Sequence, residues 1–335
     1  MGQKIDLVQA TSQRRGNLNT MDVLNSLDPR LLLYAVQIFR LCLWLVILVA
    51  IFTPLERLFA LYPQKIFRKA IVTDLGYYFL SSLIPSLLLS LPLALIAWTV
   101  HRFIPVGFLA AIAAWPLALR VVVALIVGEI GFYWGHRWSH ELPFLWRFHA
   151  IHHSAEHLDF LVSTRAHPVD MVFTRLCELT PLYILGLASP IGRSGSLIPV
   201  LIILVGTMWG FFIHSNLRWR FGPLEWIIST PAFHHWHHTN DGPAFINKNY
   251  APMWPFIDRL FGTLYLPSDK QPAKYGIDEP MSPALFGQLV DPFLFWRRSS
   301  PSSSGNADPS LTADRMIELV SAGQSSDSQL SEERS

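Results

Sequence analysis

The chain has 335 residues, of which 51% are apolar and only 15% charged, with 12 Trp, 22 Phe and a formal net charge of +2. So little charge beside so much large apolar surface sets aside a soluble domain and indicates a multi-pass membrane protein, with no nucleic-acid partner expected. The two cysteines, Cys42 and Cys177, lie far apart inside apolar stretches, which argues against a thiolate zinc site, an iron–sulfur cluster or a structural disulfide.

A spanning helix needs roughly 20 mainly apolar residues to cross about 30 Å of hydrocarbon. Residues 1–28 form a polar N-terminal tail with no signal-peptide pattern. A first span is predicted at Leu31–Phe52, interrupted only by Gln37 and Arg40 and closed by Thr53-Pro54. A second lies within Ile71–Val100, which is longer than one crossing needs and contains Pro85 and Pro92. Together they make an N-terminal transmembrane region over 29–116. Three further spans are expected at Leu117–Trp134, at Val169–Leu187, where Arg175 and Glu178 interrupt the apolar run, and at Ser196–Ile213. They belong to a region, 117–270, that carries the chemistry. A C-terminal extension covers 271–296, and from Arg297 "RRSSPSSSGNADPS" opens a tail over 297–335 whose composition predicts disorder.

Of the 13 histidines, most fall in three short stretches: "HRWSH" (136–140), "HAIHH" (149–153) and "HHWHH" (234–238). His136 and His140 sit where the third span ends, and His149, His152, His153 and His167 precede the fourth. His214 closes the fifth, and the last stretch follows it. If the fourth and fifth spans form a hairpin, all of these groups emerge on one membrane face. That face also carries Arg137, Arg147, Arg165, Arg218 and Arg220, and the loop with Arg57, Lys65, Arg68 and Lys69 joins it if the first two segments each cross once. The opposite face has fewer cations, so the histidine face is assigned to the cytoplasm. The fold class is therefore all-α: multi-pass transmembrane helices with a cytoplasmic, histidine-rich helical metal-binding cap.

On a helix, residues at i, i+3 and i+4 share a face, so His136/His140, His149/His152/His153 and His234/His237/His238 can each present imidazoles to one point. Imidazole suits Zn, Cu, Fe and Ni rather than Mg or Ca. The box histidines outnumber what one metal takes, so two metals are expected, although ligand count alone does not choose iron over zinc. The single histidines His101, His157 and His235 are assigned to the core. His167 and His214 stand alone, and their spacing decides nothing.

The three stretches match the HxxxH, HxxHH and HxxHH boxes of the fatty acid hydroxylase/sterol desaturase superfamily, membrane di-iron oxidases that this sequence resembles from about Pro54 to Pro267. The likeness extends to "FYWGHRWSH" (132–140), "HHSAEHLDF" (152–160), "TRAHPVD" (164–170), "HSNL" (214–217) and "NYAPMWPFIDRLFGTLY" (249–265). The resemblance implies that His136, His140, His149, His152, His153, His234, His237 and His238 are metal ligands, with His167 and His214 as further ones. Glu129 stands where similar proteins often have Asp, and the resemblance makes it an acceptor for an imidazole N–H.

The implied cofactor is a pair of iron ions, replaceable by zinc in purified protein, with O₂ as co-substrate. The implied reaction is oxidation of a C–H bond of a membrane lipid such as a sterol, acyl chain, ether lipid or carotenoid, hydroxylation before desaturation. Because the chain shows no motif for a flavin, nicotinamide, haem or cluster, a separate electron donor is implied: a ferredoxin, cytochrome b5 or reductase. Two other classes stay open. One is a membrane zinc-dependent hydrolase, for which Glu156 is the candidate base; the other is a metal transporter or structural metal protein, whose ionisable residues belong inside the spans.

Overall fold

A computed structural model describes residues 28–188 and 197–294. The polar tail before Asp28, the start of the fifth predicted span at Ser196 and the tail from 297 lie outside the described residues. Among the described residues there are ten α-helices and no strand; two isolated bridges, Ala60–Leu217 and Thr239–Tyr275, are the only β pairings there. The chain divides into two units, Met1–Val290 and Asp291–Ser335. The second is described only over 291–294, and the site belongs to the first.

Helix α1 (Pro29–Leu58) starts where the Asp28 carboxylate accepts the Arg30 N–H at 2.8 Å, with Pro29 in the first turn, where its missing N–H is not needed. α2 (Ile71–Phe103) runs through Pro85 and Pro92 as one helix. At about 1.5 Å per residue, these helices of 30 and 33 residues exceed one bilayer thickness. The short α3 (Val106–Ala113) packs Leu109 and Ile112 against Gly186. It is followed by α4 (Leu117–Glu141), α5 (Pro143–His153), α6 (Pro168–Ile184) and α7 (Leu197–His214).

Four of these helices, α1, α2, α4 and α7, are long and apolar enough to cross a membrane. Their outward side chains are large and bare, with Leu33 64%, Phe39 69% and Leu91 67% exposed, which suits a lipid solvent. The expected span at Val169–Leu187 forms α6, 17 residues long and not among the four. It still covers the same depth, because it begins beside the histidine cluster and ends near Leu187, whose carbonyl accepts from Arg120 in the first turn of α4 at 3.3 Å. Its polar residues are tolerated because they turn inward: Asp170, Thr174 and Glu178 are buried, and Arg175 pairs with Glu178 at 2.5 Å.

Local contacts give the direction of each helix. At one end, Glu56 of α1 accepts the Phe160 and Asn216 N–H groups at 2.8 and 3.0 Å, and Asp74 of α2 holds Arg165 at 2.6 Å. At the other, Val100 of α2 shares a core with Ala124, Leu182, Leu187 and Ile198. Helices α1, α4 and α7 therefore run toward the cap, and α2 and α6 run away from it.

The closest packing is between α4 and α6. A Cβ on Gly131 would overlap the Cys177 carbonyl oxygen, and one on Gly135 would lie 2.8 Å from the Cys177 Cβ. Gly128 faces Glu178 and Leu182 on the same stripe. Small residues at this spacing let two backbones approach, which draws the end of α4 that carries the first box against the start of α6.

The cap is built from α5, 3-10 turns at Phe160–Thr164 and Gly222–Trp226, α8 (Pro231–His237), α9 (Pro255–Leu260) and α10 (Leu285–Leu294). Behind it lies a buried ion network. Arg68 grips Asp159 through two bonds of 2.7 and 2.8 Å and meets Asp74 at 2.5 Å, and Asp74 also holds Arg165. Two guanidinium groups thus face two carboxylates, so the burial of each is compensated.

Candidate metal centre

Nine histidines assemble into two adjacent groups: His136, His140, His149, His153 and His237 in the first, and His152, His214, His234 and His238 in the second. Within each group the ligand atoms lie within 4.8 Å of one another. Helical spacing explains the division. His149 and His153, four residues apart on α5, enter the first group, while His152 between them turns to the second. α8 and its C-cap do the reverse, sending His234 and His238 to the second group and His237 to the first. His136 and His140 come from the end of α4, and His214 from the end of α7. The groups touch through their rings, with His153 and His238 stacked at 4.4 Å and His237 and His234 stacked at 5.0 Å between centroids.

The hydrogen bonds fix which nitrogen faces inward. A carbonyl only accepts, so each Nδ1 bonded to one must carry the proton. His136 Nδ1 donates to Tyr250 O at 2.7 Å, His237 to Lys248 O at 2.8 Å, His152 to Arg165 O at 3.0 Å and His214 to Gly210 O at 2.7 Å. His149 Nδ1 lies 3.0 Å from the Asp170 carboxylate, whose other oxygen accepts from Ser139 at 3.0 Å. The Nε2 atoms of these rings then carry lone pairs, and the lone pairs face one another. His136 Nε2 is 3.1 Å from His149 Nε2, and His152 Nε2 is 3.1 Å from His214 Nε2.

Two acceptors at that distance repel unless a cation lies between them. Protonating the rings is no remedy. Burial, reinforced by neighbouring imidazoles, pushes His152 down to about 3 and holds His153, His234, His237 and His238 well below the ordinary histidine range. The Nε2 atoms of His140, His153 and His237 are buried with no hydrogen-bond partner. Metal–imidazole bonds of about 2.0–2.1 Å place neighbouring ligand nitrogens about 3 Å apart, so both groups fit a transition-metal ion.

Two predicted site residues are placed elsewhere. His167 belongs to neither group. It caps α6, its Nδ1 accepting the Val169 N–H at 3.1 Å and its Nε2 lying 3.2 Å from Leu289 O. With both nitrogens so engaged, no ligand atom is left over, and the role of this His-Pro pair is to start the helix. Glu129 touches no imidazole; it accepts the N–H groups of Met253 and Trp254 at 2.5 and 3.0 Å. Seven residues along a helix are about 10 Å, more than a side chain spans, so it clamps the 249–265 segment instead.

The carboxylate that does hold an imidazole is Asp170, which sequence reasoning left unassigned. Its signal was an acid in the first turn of an otherwise apolar helix, directly after "TRAHP". Among the single histidines, His235 is buried as expected, between Ser215 O and Tyr275. His101 and His157, also assigned to the core, are exposed because they sit at a helix end and on a cap turn.

Membrane helices that carry two touching, all-imidazole ligand sets define a class of integral membrane proteins with a histidine-built metal centre. Comparison with known proteins makes this specific. Residues 121–263, which carry all nine grouped histidines, match the fatty acid hydroxylase family model. It is 36% identical over 179 residues to the ornithine lipid hydroxylase OlsE of Rhizobium tropici, covering 53% of this chain and 52% of that one. It is 34% identical over 171 residues to the alkylglycerol monooxygenase of Danio rerio, covering 50% and 35%, and 31% identical over 159 residues to that of Homo sapiens, covering 46% and 32%. The chain thus spans about half the length of the first relative and about a third of the others. No solved structure matches it.

Proposed function

We propose that the protein is a membrane di-iron hydroxylase that oxidises a C–H bond of a lipid with O₂ and external electrons. The observation that carries this reading is the facing of Nε2 lone pairs in two adjacent groups, five imidazoles in one and four in the other. Iron ions bound there would supply the one-electron chemistry with O₂ that an unactivated C–H bond requires, which zinc in the same site would not.

The chain's own residues supply the setting. The Nδ1 bonds of His136, His149, His152, His214 and His237 hold those rings in one tautomer and one orientation, which raises ligand basicity and leaves Nε2 free. Eight of the nine grouped histidines are buried, His140 being half-buried, so the site keeps bulk water out. Because the centre caps a bundle whose outer surface faces lipid, a substrate reaching it from the bilayer is the economical route. The ornithine lipid and alkylglycerol relatives favour a lipid with an amino-acid or glycerol head over a sterol or carotenoid. Electrons come from a separate donor, a ferredoxin, cytochrome b5 or reductase.

The cap is assigned to the cytoplasm because Arg57, Lys65, Lys69, Arg147, Arg218 and Lys248 lie at its end, against Arg30, Arg102 and Arg120 at the other among the described residues. Reconstitution in membranes with ¹⁸O₂, coupled to metal analysis, tests the reading. Two metals per chain and a lipid product carrying the label are expected. One metal per chain, or product oxygen derived from water, would move the assignment to a zinc hydrolase or hydratase. Untargeted lipid analysis of membranes with and without the protein identifies the substrate.

A further inference from the structure

We propose that the segment 247–250, locked by Asn249, is the positioning element of the five-histidine group alone, and that the Nδ1 atoms of the two groups are held by different backbone carbonyls although α5 and α8 each carry histidines of both. The inference depends on reading both groups as metal sites. Three of the five histidines direct Nδ1 to this segment: His140 lies 3.3 Å from Asn247 Oδ1, His237 donates to Lys248 O and His136 to Tyr250 O. No Nδ1 of the second group bonds to it among the described residues, and the segment's link to that group's helix is the Asn249 Nδ2 bond to Phe233 O, the residue before His234. His152 and His214 donate instead to Arg165 O, beside the ion network, and to Gly210 O, one turn back on α7.

The geometry of the segment is unusual. Asn247 and Asn249 have φ of 60° and 58°, the only non-glycine residues with positive φ among the described residues. Asn is among the few side chains that tolerate this left-handed region. The chain turns at each of them, and the carbonyls that follow, Lys248 O and Tyr250 O, are the ones that accept from the histidines. Asn249 is fully buried, and its side-chain amide and its backbone N–H are all bonded. Its Nδ2 donates to Phe233 O and Tyr265 O at 2.9 and 2.7 Å, its Oδ1 accepts the Tyr265 N–H at 2.7 Å, and its own N–H donates to Thr263 O at 3.0 Å. Asp258 then takes the N–H groups of Tyr250 and Ala251 at 2.7 and 2.8 Å. The two carbonyls aimed at the first group are therefore fixed from both sides.

Loss of partners of this kind lowers metal affinity by about 10–100-fold. The test measures metal per chain and dissociation constants, with the spectrum of the cobalt-loaded protein reporting each site. In Asn249→Ala, one of the two sites should weaken by about that factor and the other stay unchanged, with Asn249→Gly milder because it keeps the left-handed backbone. In a background lacking His136 and His149, Asn249→Ala should leave the remaining metal unaffected. Equal weakening of both sites, no weakening, or an effect in that background would overturn the proposal. Should Asn249→Ala fail to fold, Asn247→Gly at an exposed position decides: the first site should weaken alone, and unchanged affinity at both sites refutes it. A wild-type chain that holds fewer than two metals defeats the underlying reading instead, and is recognised before any variant is made.

Discussion

At the scale of one residue, a histidine is useful here only if its Nε2 is unprotonated and aimed inward. The carbonyls of Arg165, Gly210, Lys248 and Tyr250 secure this by demanding the proton on Nδ1. His153→Ala and His238→Ala each delete one inward nitrogen, one from each group, and each should abolish turnover. The helices should still insert, because insertion depends on apolar length; circular dichroism of the membrane fraction beside the lipid assay checks both halves.

Burial makes a second prediction, for the metal-free protein. His152 is held at about 3, whereas an unfolded histidine titrates near about 6.5. Between these values the unfolded chain binds more protons than the folded one, so stability rises with pH across that window and is lost as pH falls through it. His153, His234, His237 and His238 are displaced in the same direction and steepen the effect. Melting temperatures of metal-free protein should drop as the pH is lowered from about 6.5 toward about 3, and a flat profile would contradict it.

At the scale of elements, the α4–α6 contact and the ion network behind the cap bring the boxes together. Gly131 has no room for a methyl group against the Cys177 carbonyl, whereas a methyl group on Gly206 of α7 would meet only open space. Gly131→Ala should cost about 1–3 kcal/mol by overpacking. Gly206→Ala should be neutral or stabilise by up to about 1 kcal/mol through reduced chain entropy. Thermal melts of the two variants in one detergent compare them directly.

Asp74 is fully buried between Arg68 and Arg165. Asp74→Asn leaves two guanidinium groups facing one carboxylate, and breaking such a buried set costs roughly 3–5 kcal/mol. Because the Arg165 carbonyl also orients His152, this variant should lose metal from the four-histidine group first, as metal analysis at permissive temperature would register.

At the scale of the whole molecule, the helix directions place Arg30 at the end of the bundle opposite to Glu156 and Arg218. Single cysteines at Glu156 and Arg218, both exposed, should react with an impermeant reagent from the same compartment, and one at Arg30 from the other. Labels on opposite sides for the first two would break the site apart, since ligands cannot meet across a bilayer.

Much of this architecture was legible in the chain itself, for a physical reason. Bilayer thickness turns apolar length directly into spans, and helical period turns i, i+3, i+4 histidines into a chelating face. Four of the five expected spans correspond to helices long and apolar enough to cross, and the histidines of the three boxes came together in one cluster. Tertiary structure decided what the rules do not reach. It divided each HxxHH box between two groups, because only the packing of α4, α5, α7 and α8 says which side of a helix meets which neighbour. It brought His214 in from α7 and spent His167 on a helix cap. It also gave the imidazole to Asp170 rather than Glu129, since the reach of a carboxylate is set by distance through space and by where a distant loop presents its N–H groups.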